Sequence, residues 1–227
     1  MAYEIGTVRQ DSYSNWSEGQ DRPARENRRG ELVTANNYQQ FVMDGRVFVS
    51  NGGSGTTPIT FAGAYDADAP DFFLNVPIGI TVIPLRVQVI YDAVGTEATM
   101  EIIGLYSNTG DSSATGTAGT IMNMRTDNPR VSSCAVTVAV DAAGITDPNA
   151  GVFAEFWRYA RPLTDTVATT ENDRLPLVFD WSAFRDGPAP VIVGNSPGAC
   201  LAVYAASQAG TGFITVEWVE IPTVSAT

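Results

Sequence analysis

Apolar and polar residues alternate along much of the chain, and the alternation is most regular near its end. In the run GFITVEWVEI, residues 212–221, the side chains of Ile214, Val216 and Trp218 fall on one face of an extended chain and polar side chains fall on the other. Similar short runs recur between clusters of Gly, Pro, Asn and Asp, without a convincing amphipathic helix or a repeat of fixed period. The pattern predicts an all-β chain of about ten strands.

Several runs are distinct enough to predict individual strands and turns. The sequence QFVMDGRVFVS, residues 40–50, has two apolar runs around Asp44-Gly45 and predicts a β-hairpin. Pro77-Ile78-Gly79 predicts a turn before a long strand, and residues 141–149 have room for one helical turn. Further strands are predicted over residues 82–91, 98–106, 134–140, 151–160, 175–181 and 200–207.

The number and spacing of these strands fit an antiparallel two-sheet β-sandwich of jelly-roll type. A chain of 227 residues lies within the size range of one such domain and can bury a core without disulfides. We therefore expect one sandwich domain over residues 31–227, preceded by an extended N-terminal arm over residues 1–30.

Residues 1–30 differ from the rest of the chain, because they combine five Arg and five acidic residues with few aliphatic residues. A polar segment of mixed charge buries too little apolar area to fold by itself. It is either a solvated terminus or an arm that becomes ordered on a neighbouring subunit, where arginines would bind carboxylates or phosphates. Aromatic residues are costly in a solvated tail, so we expect an arm. Its partner-binding residues would be Tyr13, Trp16, Arg22, Arg25, Arg28 and Arg29.

The chain is strongly acidic and has an unusual set of basic residues. It contains 13 Arg, no Lys and no His against 25 Asp and Glu, which gives a net charge of −12. Such a surface repels phosphate backbones, so nucleic acid is not expected as a partner. The start of the chain lacks the basic and apolar regions of a secretory signal. No apolar run is long enough to span a membrane, and no membrane partner is expected.

The G-x-S-x-G motif at Gly194-Asn195-Ser196-Pro197-Gly198 lacks the chemistry of a nucleophile elbow. The chain has no His or Lys to activate Ser196, and Pro197 has no backbone N–H for an oxyanion hole. A turn before the next strand is the better interpretation. The same absences exclude P-loops, Schiff bases and the usual zinc sites. We therefore expect no catalytic residue, no cofactor and no metal site.

Carboxylate chemistry is the catalytic class that these absences leave open, since a glycosidase needs two acids at a set separation. Glu217 and Glu220 are expected on opposite faces of one strand, which disfavours such a pair. Asp66, Asp68 and Asp71 have a spacing that could suit a hard cation such as calcium, but the glycine and the distal glutamate of a calcium loop are missing. A solvated acidic loop is the preferred interpretation.

Two cysteines, Cys134 and Cys200, are too few for a disulfide framework. Cys134 has the same strand parity as Val136, Val138 and Val140, so we expect it to be buried as a small apolar residue. A Cys134–Cys200 disulfide is the less favoured alternative.

Three stretches of the sequence point to a family. They are GTTPITF at residues 55–61, PDFFLNVPIGITVIPL at residues 70–85, and PGACLAVY at residues 197–204 together with VEWVEI at residues 216–221. These stretches resemble jelly-roll proteins that build or decorate the capsids of bacteriophages, and the resemblance covers most of residues 31–221. It implies a virion protein, assembled in the host cytoplasm, that forms an oligomer, often a trimer, and binds other capsid proteins. No catalytic residues come with the resemblance, and residues 1–30 have no clear counterpart in it.

From these observations we expect a non-enzymatic phage capsid or capsid-decoration (cement) protein. The alternative is a carbohydrate- or receptor-binding β-sandwich, such as a module on a tail fibre, in which Trp157, Tyr159 and Trp181 would stack on sugar rings. Core packing is the commoner role of such aromatic residues. A carboxylate hydrolase is the third class.

Overall fold

The computed structural model describes residues 37–94, 99–127, 130–162, 177–207 and 209–223. The chain divides into two compact units, Met1–Asp44 and Gly45–Thr227. In the described part of the first unit there is one short helix, α1, Asn37–Met43. Among the described residues, no helix has the length and apolar character needed to cross a membrane.

The described part of the second unit consists of antiparallel strands and a short 3-10 helix at Pro148–Ala150. Its strands are β1 Val47–Gly52, β2 Ile59–Phe61, β3 Phe72–Val76, β4 Ile80–Val94, β5 Thr99–Ser107, β6 Thr117–Ala118, β7 Ile121–Asn123, β8 Ala135–Val138, β9 Phe153–Pro162, β10 Leu177–Ser182, β11 Ile192–Val193, β12 Ala199–Ala205 and β13 Gly210–Pro222.

These strands form two sheets that pack face to face as a β-sandwich. The first sheet has the order β10-β4-β13-β1-β7, with β2 also paired to β13 and β11 also paired to β4. The second sheet has the order β6-β8-β3-β12-β5-β9. Four of the pairings are nested along the chain: β1 with β13, β3 with β12, β4 with β10, and β5 with β9. The prediction of an all-β, two-sheet antiparallel fold is therefore confirmed.

The main core lies between the two sheets and contains the apolar face predicted for β13. Ile214, Val216 and Trp218 are fully buried there, and Trp218 stacks on Phe48 of β1 with ring centroids 6.3 Å apart. Leu201 of β12 belongs to the same core from the side of the second sheet. Each fully buried side chain of this size stabilises the fold by about 1.5–3 kcal/mol relative to an exposed one, so this core holds the two sheets together.

A second apolar cluster lies on the opposite, outer face of the second sheet. It is covered by residues 108–116 and 139–147, which we call the loop cover. Val140 and Ile145 of the loop cover pack on the cluster, and the Thr115 N–H donates to the Gly144 carbonyl at 2.9 Å. As a result, every residue of β3 and β12 is buried. The strand residues of the cluster are Phe73, Ile103, Leu105, Cys200, Ala202 and Tyr204.

The hairpin predicted around Asp44-Gly45 is wrong. The first apolar run of residues 40–50 belongs to α1, and the Asp44 N–H donates to the Gln40 carbonyl at 2.9 Å as the last helical turn closes. Gly45 has a φ of +65°, the left-handed conformation that glycine adopts after a helix. Gln and Met favour a helix, so the Asp-Gly pair ends a helix here instead of joining two strands.

Two smaller local predictions are confirmed. The turn at Pro77-Ile78-Gly79 is closed by a hydrogen bond from the Ile80 N–H to the Pro77 carbonyl at 3.2 Å, and Gly79 has a φ of +84°. The single helical turn expected within residues 141–149 is present as the 3-10 helix, and the Asp147 carboxylate caps it by accepting from the Asn149 N–H at 2.7 Å.

Candidate interaction surface

Strand β9 is the last strand of the second sheet, and no described strand pairs with its outer edge. Strand β10 is the last strand of the first sheet, and aromatic side chains of β9 and β10 touch each other across the sandwich. We call these two strands, Phe153–Pro162 and Leu177–Ser182, the β9–β10 rim. It is the candidate interaction surface of the sandwich.

Two edge-to-face ring pairs close the sandwich along this rim. Phe156 packs against Trp181 with ring centroids 4.9 Å apart, and Tyr159 packs against Phe179 with centroids 5.3 Å apart. Such pairs stabilise by about 0.5–1.5 kcal/mol beyond the area that they bury. Phe179 and Trp181 are buried, whereas Tyr159 is 49% exposed and Phe153 is 43% exposed. The rim therefore combines a firmly packed inner side with aromatic rings that reach solvent.

A β-bulge in β9 sets the direction of these rings. Glu155 pairs with Leu105 and Trp157 pairs with Gly104, which leaves Phe156 as the extra residue. A methyl group placed on Gly104 would lie only 2.9 Å from Cζ of Phe156. The ring of Phe156 thus lies directly over Gly104, and glycine is the residue that leaves room for it.

The outer face of β9 carries a small network of charges. Arg158 Nε donates to Glu155 Oε2 at 2.8 Å, and Arg158 Nη1 pairs with Glu101 of β5. The hydrogen bond to Arg158 lowers the pKa of Glu155, and the same bond raises the pKa of Arg158. Because the partners are partly exposed, such pairs add little stability. Their effect is to hold one guanidinium group in a fixed orientation.

The β10 side of the rim carries a second set of paired charges. Asp180 accepts from Arg86 Nε at 2.8 Å and from Arg185 Nη1 at 3.0 Å, and Glu217 lies 3.8 Å from Arg86. Both outer faces of the rim therefore present charges of both signs, while aromatic rings lie at its edge. Aromatic and Arg side chains are the types enriched at protein interfaces.

Comparison with known proteins gave no match: no protein-family model, no curated protein and no solved structure is similar to this chain.

The motifs tested for catalysis do not form a site in the described residues. The G-x-S-x-G sequence forms the turn between β11 and β12, as predicted. Glu217 and Glu220 lie on opposite faces of β13, also as predicted: Glu217 lies beside Arg86, while Glu220 is buried. The Glu220 carboxylate accepts from Trp218 Nε1 and from the Ser133 N–H, both at 2.9 Å. It connects β13 to the segment before β8.

The expectation of a solvated acidic loop is wrong for Asp71. Asp71 is 3% exposed, and its carboxylate accepts from the Ala62 N–H at 2.8 Å and the Ala205 N–H at 2.7 Å. Burial raises the pKa of Asp71 to about 6, although these two hydrogen bonds favour the charged form. The neighbouring side chain of Asp66 raises the pKa of Asp68. In the described ranges, no group of three acidic or cysteine residues is placed to hold a metal ion.

The cysteines are both free and buried, so the disulfide alternative is wrong. Cys134 belongs to the main core, as its parity predicted, and Cys200 belongs to the outer cluster on the other face of the second sheet. Val140 departs from the predicted parity, because Ala139 has a φ of +47° and breaks the alternation. Burial raises the pKa of the Cys200 thiol to about 12 and raises the pKa of the Cys134 thiol as well.

The aromatic residues of the sugar-binding alternative do not form one exposed platform. Trp181 is buried in the core, Trp157 is partly buried against it, and Tyr159 alone of the three is exposed. The partner-binding residues predicted on the arm lie outside the described residues: Tyr13, Trp16, Arg22, Arg25, Arg28 and Arg29.

Sequence reasoning did not single out Phe156, Glu155 and Arg158, which lie on the candidate surface. A signal for them is present, because the adjacent aromatic residues Phe156 and Trp157 interrupt the alternation expected of a regular strand. A break of this kind is typical of a bulge. That the bulge lies opposite Gly104 can be recognised only when the pairing of β5 with β9 is known.

Proposed function

We propose that this chain is a virion structural protein, a phage capsid or capsid-decoration protein with a jelly-roll domain, which assembles through self-association and lattice contacts. The observation that carries the proposal is the nesting of eight strands: β1, β3, β4, β5, β9, β10, β12 and β13. The first pairs with the last, the second with the seventh, the third with the sixth and the fourth with the fifth. This nesting supports a jelly roll, in which one long hairpin is rolled into two sheets and which is a fold of viral capsid domains.

The stretches that resemble phage proteins support the proposal by their positions. Residues 70–85 form β3, the following turn and the start of β4, while residues 197–204 and 216–221 belong to β12 and β13. β3 pairs with β12, and β4 pairs with β13. Sequence stretches that lie far apart along the chain therefore meet as neighbouring strands.

Fold alone does not assign function, since jelly rolls serve both as capsid domains and as lectins. A lectin of the predicted kind would need an open aromatic platform, and the burial of Trp181 disfavours one at the β9–β10 rim. The rim instead presents aromatic rings flanked by paired charges, which suits a contact with another protein. This geometry favours assembly over sugar binding.

The proposal includes the N-terminal arm as a contact to a neighbouring copy. Residues 22–29 carry four Arg and one Glu, whereas residues 45–227 carry 18 acidic residues against 8 Arg. An arm of this charge is attracted to the sandwich of another copy. Arg22, Arg25, Arg28 and Arg29 would bind its carboxylates, and Tyr13 and Trp16 would bury their rings against it.

The test is the mass of the purified protein by size-exclusion chromatography with light scattering at micromolar concentrations. We expect an oligomer, with a trimer as the leading state, and we expect removal of residues 1–30 to weaken it. A strict monomer that also fails to bind capsids would overturn the proposal. A glycan array read with tryptophan quenching separates the sugar-binding alternative, since a cement protein should bind no glycan.

A further inference from the structure

The side chains of β9 alternate in a way that is symmetric about the peptide bond between Phe156 and Trp157. Glu155 and Arg158 pair with Leu105 and Ile103, two residues of the outer cluster, so both point to the outer face of the second sheet. In a regular strand, residues three apart point to opposite faces, and the bulge at Phe156 removes that difference. The outer-face residues are Phe153, Glu155, Arg158 and Ala160, and the core-side residues are Ala154, Phe156, Trp157 and Tyr159.

This symmetry matters because opposed residues in an antiparallel pair point to the same face. If β9 pairs with another β9 about a two-fold axis at the Phe156–Trp157 bond, residue 155 lies opposite residue 158 and residue 153 lies opposite residue 160. Residue 154 then lies opposite residue 159. Each opposed pair in this register comes from the same face. Shifting the register by one residue would oppose outer-face to core-side residues.

The residue types at these opposed positions are complementary. In this register Glu155 of one copy would lie opposite Arg158 of the second copy, and the reverse pairing would occur at the other end of the contact. Each exposed ring lies opposite a small residue, since Tyr159 faces Ala154 and Phe153 faces Ala160. Opposite charges and large-small pairs are the combinations that stabilise antiparallel strands.

The edge of β9 is also the longest uninterrupted sheet edge in the described residues. β9 has 10 residues, whereas the other terminal strands are β6 with 2, β7 with 3 and β10 with 6. A long edge strand leaves N–H and C=O groups unpaired and is a template for another strand. Proteins usually shorten or cover such edges, and the three other terminal strands named here, within the described residues, are shorter than β9.

We propose that β9 pairs antiparallel with β9 of a second copy of this chain, about a two-fold axis at the Phe156–Trp157 bond, so that two second sheets become one continuous sheet. The contact is isologous, with the same surface used on both copies. The inference rests on the self-association part of the proposed function. A two-fold contact joins copies in pairs, so it acts in addition to the contacts that would form a trimer.

Charge reversal tests the register directly. Glu155→Arg places guanidinium groups opposite each other at both ends of the contact, and Arg158→Glu does the same with carboxylates. We expect each variant alone to dimerise at least about tenfold more weakly than the wild type in sedimentation velocity, because opposed like charges are unfavourable. A mixture of the two variants should form a heterodimer, since every opposed pair then has opposite charges. Both variants lose the Glu155–Arg158 pair within the chain. If these two residues acted only within one chain, mixing the variants would not restore association.

The matched control is Arg125→Glu, which makes the same change of charge at an exposed Arg125–Asp127 pair beyond β7. It should leave association unchanged. If the reversal variants associate like the wild type, or if their mixture stays dissociated, the β9 contact is overturned. In those cases self-association by another surface would still stand. A wild-type chain that stays monomeric overturns both the contact and the proposed self-association.

A disulfide trap provides a second readout that does not depend on charge. Residues 153 and 160 of opposing copies lie directly across the proposed contact, where Cα atoms are about 4.5–5.5 Å apart, within reach of a disulfide. Mixed Phe153→Cys and Ala160→Cys chains should form a linked heterodimer under mild oxidation. The native cysteines do not compete, because both are buried with raised thiol pKa values. The control is a mixture of Ala160→Cys and Arg125→Cys chains, whose new cysteines are not opposed in the proposed contact. If the Phe153→Cys and Ala160→Cys mixture cross-links no faster than this control, the register is wrong.

Discussion

The middle and the end of the second sheet use similar residues but bury them to very different extents. Every residue of β3 and β12 is buried, whereas β9 leaves Phe153 and Tyr159 nearly half exposed. β3 and β12 have a paired strand on each side, the core on one face and the loop cover on the other. β9 has one described neighbour. Burial here follows from the coverage that the fold provides, and hydrophobicity alone does not predict it.

The largest effect expected from this difference is on Leu201 of β12. Leu201→Ala removes a fully buried side chain between strands that cannot collapse into the space. We expect the free energy of unfolding to fall by about 3–4 kcal/mol, measured by urea denaturation. Tyr159→Ala in β9 is the matched control, and its expected cost is about 1 kcal/mol because half of the ring is already in solvent. Equal losses of unfolding free energy in the two variants would show that side chains in the middle strands and in the end strand of the second sheet contribute equally to stability.

The next effect concerns Asp71, which connects the middle strands to the first sheet. Its carboxylate accepts from Ala205 at the end of β12 and from Ala62, which follows β2. Its pKa is raised to about 6 in the folded protein against an ordinary value of 3.8, so the folded state binds the proton more tightly than the unfolded state. The resulting stabilisation is fully present below about pH 4 and is lost as the pH rises through about 6.

The magnitude of this loss is up to about 3 kcal/mol between about pH 4 and pH 6, of which about 1.4 kcal/mol falls above pH 5. We expect the pH dependence of unfolding between about pH 5 and pH 7.5 to be smaller in Asp71→Asn than in the wild type. Glu155 and Asp186 have lowered pKa values and titrate below this window. Asp68 has a raised pKa, but it is present in both proteins, so its contribution cancels in the comparison. Urea denaturation at both pH values gives the comparison, and an unchanged pH dependence in the variant would show that Asp71 does not titrate there.

A smaller effect is expected where β9 passes over β5. Gly104→Ala places a methyl group 2.9 Å from Cζ of Phe156 and forces that ring away from Trp181. We expect a loss of about 1–2 kcal/mol in the free energy of unfolding and a changed near-UV circular dichroism signal from Trp181. Combining the change with Phe156→Ala should remove most of the added cost. If the two losses instead add fully, the bulge is not the reason for the glycine.

The smallest effect tests the loop cover. Asp111 accepts from the Ser113 N–H and the Thr146 N–H, each at 2.7 Å, and so connects its two segments. Partial burial opposes ionisation of Asp111, but the bonds from Ser113 and Thr146 outweigh it and lower its pKa. We expect Asp111→Ala to cost about 1 kcal/mol and to speed labelling of Cys200 by a thiol reagent. Labelling of Cys134, in the main core, should not change. Equal acceleration at both cysteines would indicate global unfolding.

Sequence pattern predicted the features that depend on neighbouring residues and missed those that depend on distant ones. The inward face of β13 followed from the alternation of Ile214, Val216 and Trp218, and the turn at Gly79 followed from its residue types. The burial of Asp71 could not be predicted, because its donors at Ala62 and Ala205 are brought to it by two different sheets.

The candidate surface was only partly predictable for the same reason. The aromatic residues of β9 were visible in the sequence, but the bulge that turns Phe156 depends on pairing with Gly104, which precedes it by about 50 residues. The Asp44-Gly45 hairpin failed for a local reason, since the same residues also suit the end of a helix.

The nested strand pairing also has a consequence for how the chain is made. Ser107 of β5 pairs with Phe153 of β9, whereas Val47 of β1 pairs with Val219 of β13, which lies much farther along the chain. Closing short loops costs less entropy than closing long ones, so we expect the innermost pair to form first and the outermost last. Pulse-labelled hydrogen exchange should protect amides of β5 and β9 before those of β1. Since β13 lies between β1 and β4, a ribosome that stops before residue 210 releases a chain whose first sheet is missing its central strand. Such a product would leave unpaired the edges of β1 and β4 that β13 covers in the whole sheet.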